Sequence, residues 1–329
     1  MSDTATLSRL FASIEADLEQ VDSTFQARAV TGLEILQAAT SYVLSMPGKR
    51  LRMALTLLSG KIIEYRFDKL LPLGVAFEMA HLASLVHDDI IDGAGTRRGI
   101  PTVNSRYGDH IAILLGDYFF AKTAGLAAEV EDFRIDRLLA ETVSTVCEGT
   151  IMEMLSAYQM DVSLDAYLDR IRAKTAALIA ACCKGGAIVG NGSDAQIALM
   201  EQYGQSLGMA FQIIDDVLDY TGTQAATGKP VGNDLAQGLV TLPLIYALRD
   251  DQMNGHSERV ANILAHPEGR QDEILDIVRW VSAGPGVRSA VDLAKHYAVR
   301  ARATLSEFGD SPVRQVLDEL IDYVIERTR

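Results

Sequence analysis

Cysteine and histidine are scarce in this 329-residue sequence, with three cysteines and six histidines. Cys147, Cys182 and Cys183 form no Cys-x-x-Cys pair and have no histidine at a spacing that would complete a zinc site. This pattern argues against a disulfide framework and against a structural zinc ion. The adjacent pair, Cys182 and Cys183, is expected to lie reduced in a helix, which suits a cytoplasmic protein.

Positive charge is also in short supply. The chain has 30 Lys and Arg residues against 44 Asp and Glu residues, which gives a formal net charge of −14. It lacks the basic footprint that nucleic acid requires, so no nucleic-acid partner is expected. The negative net charge does not argue against a small phosphorylated ligand, because the sequence contains local basic clusters.

Long apolar runs and targeting signals are missing as well. The amino terminus, MSDTATLSRLF, has an acid at position 3 and no long apolar core, so no signal peptide is predicted. No apolar run approaches the ~18 residues that span a bilayer, and no transmembrane segment is expected. The protein is predicted to be soluble and cytoplasmic, although an apolar product could bring it to a membrane surface.

Signals for β-strands are scarce, and helical periodicity dominates the chain. Helices are predicted at 6–25, 29–45, 50–65, 69–92, 108–130, 135–160, 164–190, 194–221, 287–307 and 312–328, with shorter helices up to about 283. Residues 222–238, GTQAATGKPVGNDLAQG, are the most turn-rich segment and predict either a flap or a plain surface connection. The predicted fold class is all-α, a single large helical bundle in one domain, residues 1–329.

Two acidic motifs, DDIID at 88–92 and DDVLD at 215–219, carry the prediction of function. Both read Asp-Asp-x-x-Asp within apolar sequence, and on a helix the first and last Asp share a face. Two carboxylates ~6 Å apart repel by about 3 kcal/mol at an effective dielectric of about 20. Oxygen ligands without His or Cys favour a hard cation, Mg²⁺ shared with a substrate phosphate. A solvated acidic face is the plain alternative, but it needs neither the apolar surroundings nor the repeat.

The helix before the first motif carries small residues on the face that leads to Asp88. They are Ser84, Ala80 and Ala76, with Ala83 beside them. The helix rises about 18 Å from Ala76 to Asp88, so a groove could run down from the metal site. Close packing of a neighbouring helix explains small residues equally well.

Cationic side chains near the motifs are candidates for binding phosphate oxygens, because Arg offers a planar fork of donors and Lys a mobile charge. They are Lys49, Arg50 and Arg52 in GKRLR, Arg97 and Arg98 after the first motif, Lys174, and Lys229 in the turn-rich segment. Any one of them alone is more often a surface residue, but their positions beside the two motifs favour binding.

Taken together, these motifs resemble those of the trans-polyprenyl diphosphate synthases, the head-to-tail isoprenoid chain-elongating family. The resemblance runs from residue 48 to 246 and is carried by GKRLR at 48–52, HLASLVHDDIID at 81–92, RRG at 97–99, KTA at 174–176, FQIIDDVLDYTG at 211–222 and GKPVGNDL at 228–235. It implies a bundle of the isoprenoid synthase type, with the active-site cleft between the helices that carry the two motifs. The implied activity is the condensation of isopentenyl diphosphate with an allylic diphosphate primer.

The resemblance also implies roles for individual residues. Asp88, Asp92, Asp215 and Asp219 are expected to bind a cluster of Mg²⁺ ions, about three per active site, for which Mn²⁺ could substitute. Contacts to the allylic diphosphate are implied for Arg97, Lys174, Thr175, Gln212 and Lys229. Isopentenyl diphosphate is implied to bind Lys49, Arg52, His81 and Arg98. The implied catalytic set is Asp88, Asp89, Asp92, Asp215, Asp216, Lys174 and Arg97, and members of the family are usually homodimers.

The implied chemistry agrees with these residue types. Loss of diphosphate from an allylic carbon builds negative charge on the leaving group, which metal ions and basic side chains stabilise. The double bond of isopentenyl diphosphate then attacks the carbocation, and a proton is lost, in this family to the departing diphosphate. No Ser-His-Asp constellation is required, and none is evident in the sequence.

Four positions depart from the family pattern. Leu239 stands where many members have Lys, Glu153 where many have Gln, Asn233 where a further Asp often occurs, and Met53 in place of the usual Pro. None of them removes a predicted metal ligand, so they bear on substrate detail and leave the activity class unchanged.

Product length is predicted from Ala83 and Ser84, where short-chain members often carry a bulky aromatic that stops the growing tail. With both residues and Ala80 small, the groove is expected to stay open at this level. The expected product is of medium or long chain, hexaprenyl to decaprenyl, of quinone side-chain type. Phe119 or Phe120 could form a deeper floor, and geranylgeranyl diphosphate is then the alternative product.

Two alternatives come from other classes. Glu78-x-x-His81 matches half of the di-iron motif of ferritin-like bundles, but the sequence has no second such pair. The non-enzymatic alternative is a regulatory subunit of a heteromeric synthase. Such subunits commonly lose the Asp-rich motifs, and both motifs are intact here.

Overall fold

Helices supply most of the regular structure of the protein. The computed structural model describes residues 3–46, 48–97, 99–222, 231–250, 255–266 and 269–327. The helices are α1 Asp3–Phe11, α2 Glu15–Arg28, α3 Glu34–Leu44, α4 Leu51–Lys61, α5 Phe67–Ile91, α6 Val103–Tyr107, α7 Asp109–Glu129, α8 Phe133–Ser156, α9 Leu164–Ile171, α10 Ala177–Val189, α11 Asp194–Thr221, α12 Asn233–Ala236, α13 Leu242–Asp250, α14 His256–Ala265, α15 Gln271–Ala283, α16 Pro285–Leu305 and α17 Pro312–Glu326. One antiparallel pair of strands, β1 Thr96–Arg97 and β2 Ile100–Pro101, accompanies them. The predicted all-α class is confirmed.

Most predicted helices agree with the observed ones within a few residues, and 194–221 coincides with α11. The predicted helix 29–45 is wrong at its start, because the backbone N–H of Thr31 donates to Gln37 Oε1 and the helix begins only at Glu34. A 3-10 turn, Ala12–Ile14, interrupts the predicted helix 6–25. Residues 223–230 of the predicted flap lie outside the described residues.

Contacts between Cα atoms divide the chain into two compact units. The first comprises residues 1–143, 178–204 and 304–319, and the second comprises residues 144–177, 205–303 and 320–329. The first Asp-rich motif belongs to the first unit and the second motif to the second unit. The assignment of residues 1–329 to a single domain stays a prediction.

In the first unit, α5 is the central helix and packs against α2, α4 and α7. Every residue from Pro72 to Ala80 is buried, as expected of a helix that is apolar on all sides. Thr123 Oγ1 of α7 donates to the carbonyl oxygen of Ala76 at 3.3 Å, and a Cβ on Gly116 of α7 would lie 2.2 Å from His87 Nε2. Helix α7 therefore follows α5 closely over the stretch that leads to the first motif.

Two helices, α5 and α7, are long and apolar enough to cross a membrane by length and composition alone. In α5, 67% of the most apolar stretch is buried inside the protein, which is typical of a core helix. In α7 the buried share is 39%, so this helix keeps an exposed apolar face. The expectation of no transmembrane segment stays a prediction.

Glycines allow α4 and α10 to touch backbone to backbone in the first unit. A Cβ on Gly186 of α10 would lie 2.4 Å from the carbonyl oxygen of Thr56, and a Cβ on Gly190 would lie 2.8 Å from that of Gly60. Any larger residue at these positions would force the two helices apart.

The carboxy-terminal part of α11 forms the core of the second unit together with later helices. Ile213, Val217 and Tyr220 of α11 are buried, as is Ile277 of α15. Ser282 Oγ, also in α15, donates to the carbonyl oxygen of Tyr220 at 2.6 Å. This packing fixes the helix end that carries the second Asp-rich motif.

Replacing Gly186 by Ala is expected to lower the free energy of unfolding by about 1–3 kcal/mol, because the added methyl group overpacks a backbone contact. Chemical denaturation followed by circular dichroism measures the change. The matched control is Gly125→Ala on the exposed side of α7, where a Cβ would meet nothing within 4 Å, and where helix propensity predicts a small gain. Equal stability of the two variants would contradict the close packing of α4 on α10.

Candidate active site

The first Asp-rich motif forms the end of α5. Asp88 is half-buried and Asp92 is exposed at the C-cap, whereas Asp89 between them is only 5% exposed. The backbone N–H of Asp92 donates to the carbonyl oxygen of Asp88 at 2.8 Å, so the two residues are one helical turn apart. Asp88 and Asp92 therefore share the accessible face that the sequence predicts, while Asp89 faces the protein interior.

The β1–β2 hairpin brings Arg97 back to Asp89. Both Nε and Nη2 of Arg97 lie 2.8 Å from Asp89 Oδ1. A buried carboxylate is stable only with a cationic or hydrogen-bonding partner, and Arg97 supplies one. The resemblance assigns Arg97 to the allylic diphosphate; here its guanidinium group binds Asp89. Arg98, the next residue, lies outside the described residues.

The basic segment GKRLR lies against the middle of α5. Arg50 forms ion pairs with Asp22 of α2, Nε to Oδ1 at 2.8 Å, and with Glu78 of α5, Nη1 to Oε1 at 3.5 Å. Lys49 and Arg52, on either side of Arg50, are half-buried. The distance along α5 from Glu78 to Asp88 is ~15 Å. The first unit thus brings a basic cluster and an acidic pair to the same helix.

In the second unit, the chain after α9 widens into one π-helical turn, Arg172–Ala176. Single π-helical turns occur frequently at functional sites because they displace side chains from the regular helical positions. Lys174 and Thr175, both predicted to contact substrate, lie on this turn. The sequence predicts an unbroken helix here and gives no signal for the widening.

Glycines let two helices approach the π-helical turn closely. A Cβ on Gly149 of α8 would lie 2.3 Å from the backbone nitrogen of Lys174. A Cβ on Gly208 of α11 would lie 2.6 Å from the Cα atom of Ala176. Both approaches are possible only without a side chain, so these glycines determine how near the two helices come.

One helical turn past each glycine, a polar side chain contacts the π-helical turn. Glu153 of α8 accepts a hydrogen bond from Lys174 in an ion pair. Gln212 Oε1 of α11 accepts a hydrogen bond from Thr175 Oγ1 at 2.8 Å. Glu153, a departure from the family pattern, therefore supplies the negative partner of a predicted substrate-binding lysine.

Asp216, the inner carboxylate of the second motif, is buried in the way that Asp89 is. Its Oδ1 accepts a hydrogen bond from Gln212 Nε2 at 2.7 Å, and its Oδ2 accepts one from the hydroxyl of Tyr167 at 2.6 Å. Burial raises the pKa of Asp216, while the hydrogen bonds and the positive charge of Arg170 oppose the rise. Asp216 therefore anchors the motif inside the second unit.

Asp219, the last residue of the second motif, accepts two backbone hydrogen bonds. The N–H groups of Asn233 and Asp234, at the start of α12, donate to its two oxygens at 3.1 and 3.0 Å. Asn233, a departure from the family pattern, takes part through its backbone. This contact holds the later part of the turn-rich segment against the motif, and the metal-binding role of Asp219 stays a prediction.

Asp215, the first residue of the second motif, pairs with an arginine from the carboxy-terminal part of the chain. Arg327 Nη2 lies 2.8 Å from Asp215 Oδ1, and the same nitrogen donates to the carbonyl oxygen of Phe211. The guanidinium group also lies over the Phe211 ring, 3.7 Å from its centroid. Asp215 is still half-exposed, so one side of its carboxylate faces solvent.

Several residues of these clusters carry no local sequence signal. Tyr167, Arg170 and Arg327 are buried polar groups that belong to no recognisable motif, and only the fold brings them to the second motif. Arg170 donates to Ser156 Oγ at 2.8 Å.

Of the other predicted residues, His81 is half-buried on α5 and Met53 is fully buried in α4. Lys229 lies outside the described residues.

The oxygen donors of the two motifs determine which metal ion they can hold. In the described ranges, no group of three or more His, Cys, Asp and Glu side chains lies close enough together to hold a metal ion alone. Each motif instead offers two outer carboxylates with oxygen donors only, which suits a Mg²⁺ ion that keeps waters and shares substrate phosphates. Asp88, Asp92, Asp215 and Asp219 therefore fit the predicted ion.

The sequence profile of the Polyprenyl synthetase family matches residues 33–281. The chain belongs to this family. It is 35% identical over 322 residues to the heptaprenyl diphosphate synthase component 2 of Geobacillus stearothermophilus. The aligned region covers 98% of this chain and 97% of the relative. Membership confirms the predicted prenyltransferase class.

Solved structures of this polyprenyl synthetase family confirm the predicted bundle of the isoprenoid synthase type. The polyprenyl synthase from Caulobacter crescentus CB15, solved in complex with calcium and isoprenyl diphosphate, is similar with a TM-score of 0.94 and 30% identity over 98% of each chain. The decaprenyl diphosphate synthase from Rhodobacter capsulatus gives a TM-score of 0.92 and 30% identity, covering 98% of this chain and 99% of that one. The Caulobacter complex shows that a member of this family binds a divalent metal with its diphosphate ligand.

Replacing Tyr167 by Phe is expected to lower the free energy of unfolding by about 1–3 kcal/mol, because it removes a hydrogen bond from a buried carboxylate. Prenyltransferase turnover should fall as well, since Asp216 orients the second motif. Thermal denaturation and steady-state kinetics measure the two effects. The control is Tyr158→Phe, whose residue is 51% exposed. A Tyr167→Phe variant as stable and active as the wild type would refute the anchoring role of Asp216.

Proposed function

We propose that the protein elongates an allylic diphosphate by head-to-tail condensation with isopentenyl diphosphate and releases a polyprenyl diphosphate of medium or long chain. The observation that carries this proposal is the presence of both Asp-rich motifs, each with its inner Asp anchored and its outer Asp residues accessible to solvent. Relatives similar over nearly the whole chain are named heptaprenyl and decaprenyl diphosphate synthases.

In the proposed reaction, the C–O bond of the allylic diphosphate breaks and leaves an allylic carbocation. The double bond of isopentenyl diphosphate forms the new C–C bond, and the resulting cation loses a proton to the released diphosphate. Mg²⁺, when bound, neutralises the charge that builds on the leaving group. Lys174 and Thr175 hold the allylic diphosphate, and Lys49, Arg52 and His81 hold isopentenyl diphosphate and orient its double bond.

The outer carboxylates, Asp88 and Asp92 in the first motif and Asp215 and Asp219 in the second, are proposed to hold about three Mg²⁺ ions. Mn²⁺ is proposed as a substitute, because it shares the preference for oxygen donors. The ion pair between Asp215 and Arg327 would have to open, or the ion would have to use the solvent-facing carboxylate oxygen.

The proposal is tested by incubating the purified protein with labelled isopentenyl diphosphate, Mg²⁺ and allylic primers of increasing length, and sizing the products. Elongation is expected, and Asp88→Asn should lower kcat/KM by about 100- to 1,000-fold, the loss typical of a removed charge-stabilising group. Asp136→Asn, a change of an exposed acid on α8, is the matched control. Absence of turnover with every primer would overturn the proposal.

Of the small residues from which the groove is proposed, Ser84 supports it best, because its side chain is partly accessible while those of Ala83 and Ala80 are buried. Ala83 is fully buried and Ala80 is 3% exposed, and α7 follows this stretch of α5 closely. Ser84 is half-buried, and its hydroxyl donates to the carbonyl oxygen of His81 at 2.8 Å. Phe119 is fully buried on α7, and a floor formed there would leave geranylgeranyl diphosphate as the alternative product.

Replacing Ser84 by Phe is expected to shorten the product by one or more isoprene units, because the ring would block a chain that grows past this position. Reverse-phase chromatography of the dephosphorylated products measures the length. Ser84→Ala is the control and should leave the product unchanged. Ala83→Tyr is a poorer test, since a ring at that buried position would overpack the core. An unchanged chain length in Ser84→Phe would refute the groove.

Replacing Glu153 by Gln is expected to lower the KM for the allylic primer by about threefold or more, because the Glu153 charge neutralises Lys174 and repels the diphosphate. The KM for isopentenyl diphosphate should stay the same. Steady-state kinetics with each substrate varied in turn measure both constants. Glu148→Gln in the same helix is the control, and a higher primer KM in Glu153→Gln would contradict the assigned role.

We also propose that the protein is a cytoplasmic homodimer. Free thiols at Cys147, Cys182 and Cys183 support a reducing compartment. Exposed apolar side chains support an interface between copies of the chain; they include Ile113 and Leu114 of α7 in the first unit, and Ile151, Met154 and Leu155 of α8 in the second.

A heteromeric assembly is the competing arrangement, because the Geobacillus relative is named as component 2 of its enzyme. Light scattering of the purified chain, combined with the turnover assay, separates the two. Twice the chain mass together with activity supports the homodimer. A monomer without turnover would favour an obligate second component or a regulatory role.

A further inference from the structure

Glu78 is a buried acid that the proposed reaction does not use. It lies in α5, one helical turn before His81, and is only 4% exposed. Its Oε2 is buried and accepts no hydrogen bond within the described part of the chain. Burial raises the pKa of Glu78, and the charges of Arg52 and Arg50 oppose that rise. A buried acid is stable only where cationic or hydrogen-bonding groups compensate for its lost hydration.

The partners of Glu78 are the arginines of the GKRLR segment. Arg50 Nη1 lies 3.5 Å from Glu78 Oε1, and Arg50 Nε lies 2.8 Å from Asp22 Oδ1. Two carboxylates, from α2 and α5, thus hold one guanidinium group between them. Arg52, in the first turn of α4, lies close enough to lower the pKa of the same Glu78 carboxyl.

The backbone of Arg50 is held in a conformation that arginine rarely adopts. Its φ is 52° and its ψ is 24°, in the left-handed region, where it forms the N-cap of α4. This conformation is unfavourable for a residue that has a Cβ atom, because the Cβ atom crowds the following carbonyl oxygen. The ion pairs with Asp22 and Glu78 offset that cost and keep the chain turned sharply between Lys49 and α4.

We propose that Glu78, assisted by Asp22, is a positioning residue that fixes Arg50 and Arg52 and thereby sets Lys49, Arg52 and His81 for the diphosphate of isopentenyl diphosphate. This inference rests on the proposed function of that basic cluster. Glu78 acts through the arginines and touches no reacting atom. Its negative charge also weakens the local positive potential, so positioning and simple neutralisation predict opposite changes in affinity.

The test compares Glu78→Gln and Asp22→Asn with the wild type, with isopentenyl diphosphate and the allylic primer each varied in turn. Positioning predicts that Glu78→Gln raises the KM for isopentenyl diphosphate by about tenfold, as expected for the loss of one buried ion pair. The primer KM should change less than twofold. Asp22→Asn, at a more exposed partner, should shift the same constant in the same direction by a smaller factor.

Asp17→Asn is the matched control. Asp17 also lies on α2 and pairs with Lys61 at the other end of α4, at 4.0 Å, so it shares the helices but not the basic segment. The KM for isopentenyl diphosphate should not change in this variant. In an Arg50→Met background, Glu78→Gln should lose most of its effect, because the two residues act as one unit.

An unchanged or lower KM for isopentenyl diphosphate in Glu78→Gln would overturn the inference. So would an equal rise in both KM values accompanied by a large drop in Tm, which indicates a structural role only. Calorimetric titration of each variant with isopentenyl diphosphate alone gives the same comparison without turnover. A wild type that neither binds isopentenyl diphosphate nor turns over would instead refute the proposed function of the cluster.

Discussion

Burial of the inner carboxylate is the constraint on which each Asp-rich motif depends. Asp89 is held by Arg97, and Asp216 is held by Tyr167 and Gln212. A carboxylate removed from water requires such partners, because an unpaired buried charge costs several kcal/mol. Once the inner Asp is fixed, the helical period directs the residues one before and three after it to the accessible side. Each motif therefore has one buried carboxylate and two outer carboxylates that are at least partly accessible.

Close backbone contacts provide the second level of order. In the second unit, Gly149 and Gly208 bring α8 and α11 against the π-helical turn, so that the polar side chains one helical turn further on, Glu153 and Gln212, reach that turn. In the first unit, Gly186 brings α10 against α4, whose first turn carries Arg52. The polar residues of both clusters are thus set by helix spacing, and glycine sets that spacing.

Charge is arranged to hold the basic residues before any ligand binds. Arg50 pairs with Asp22 and Glu78, Arg97 with Asp89, and Lys174 with Glu153. Each pair removes the repulsion among like charges and restricts long side chains that would otherwise lose entropy on binding. The same carboxylates lower the local positive potential, so affinity for diphosphate reflects a balance between order and charge. Glu153 adds to the cluster a negative charge that the Gln common at this position would lack.

Local sequence patterns were enough to predict the all-α class, most helix boundaries within a few residues, the two Asp-rich motifs and the family, because these depend on periodicity and on residues close together in the chain. The start of the helix at Glu34 and the 3-10 turn at Ala12–Ile14 were not predicted. It also predicted that the first and last Asp of each motif share a face, which follows from helix geometry alone. The π-helical turn, the pairing of Arg327 with Asp215 and the burial of Glu78 beneath Arg50 were decided only by tertiary structure. The two ion pairs join residues far apart in sequence, and the π-helical turn packs against glycines of two other helices. No local pattern records which distant helix will supply such a partner.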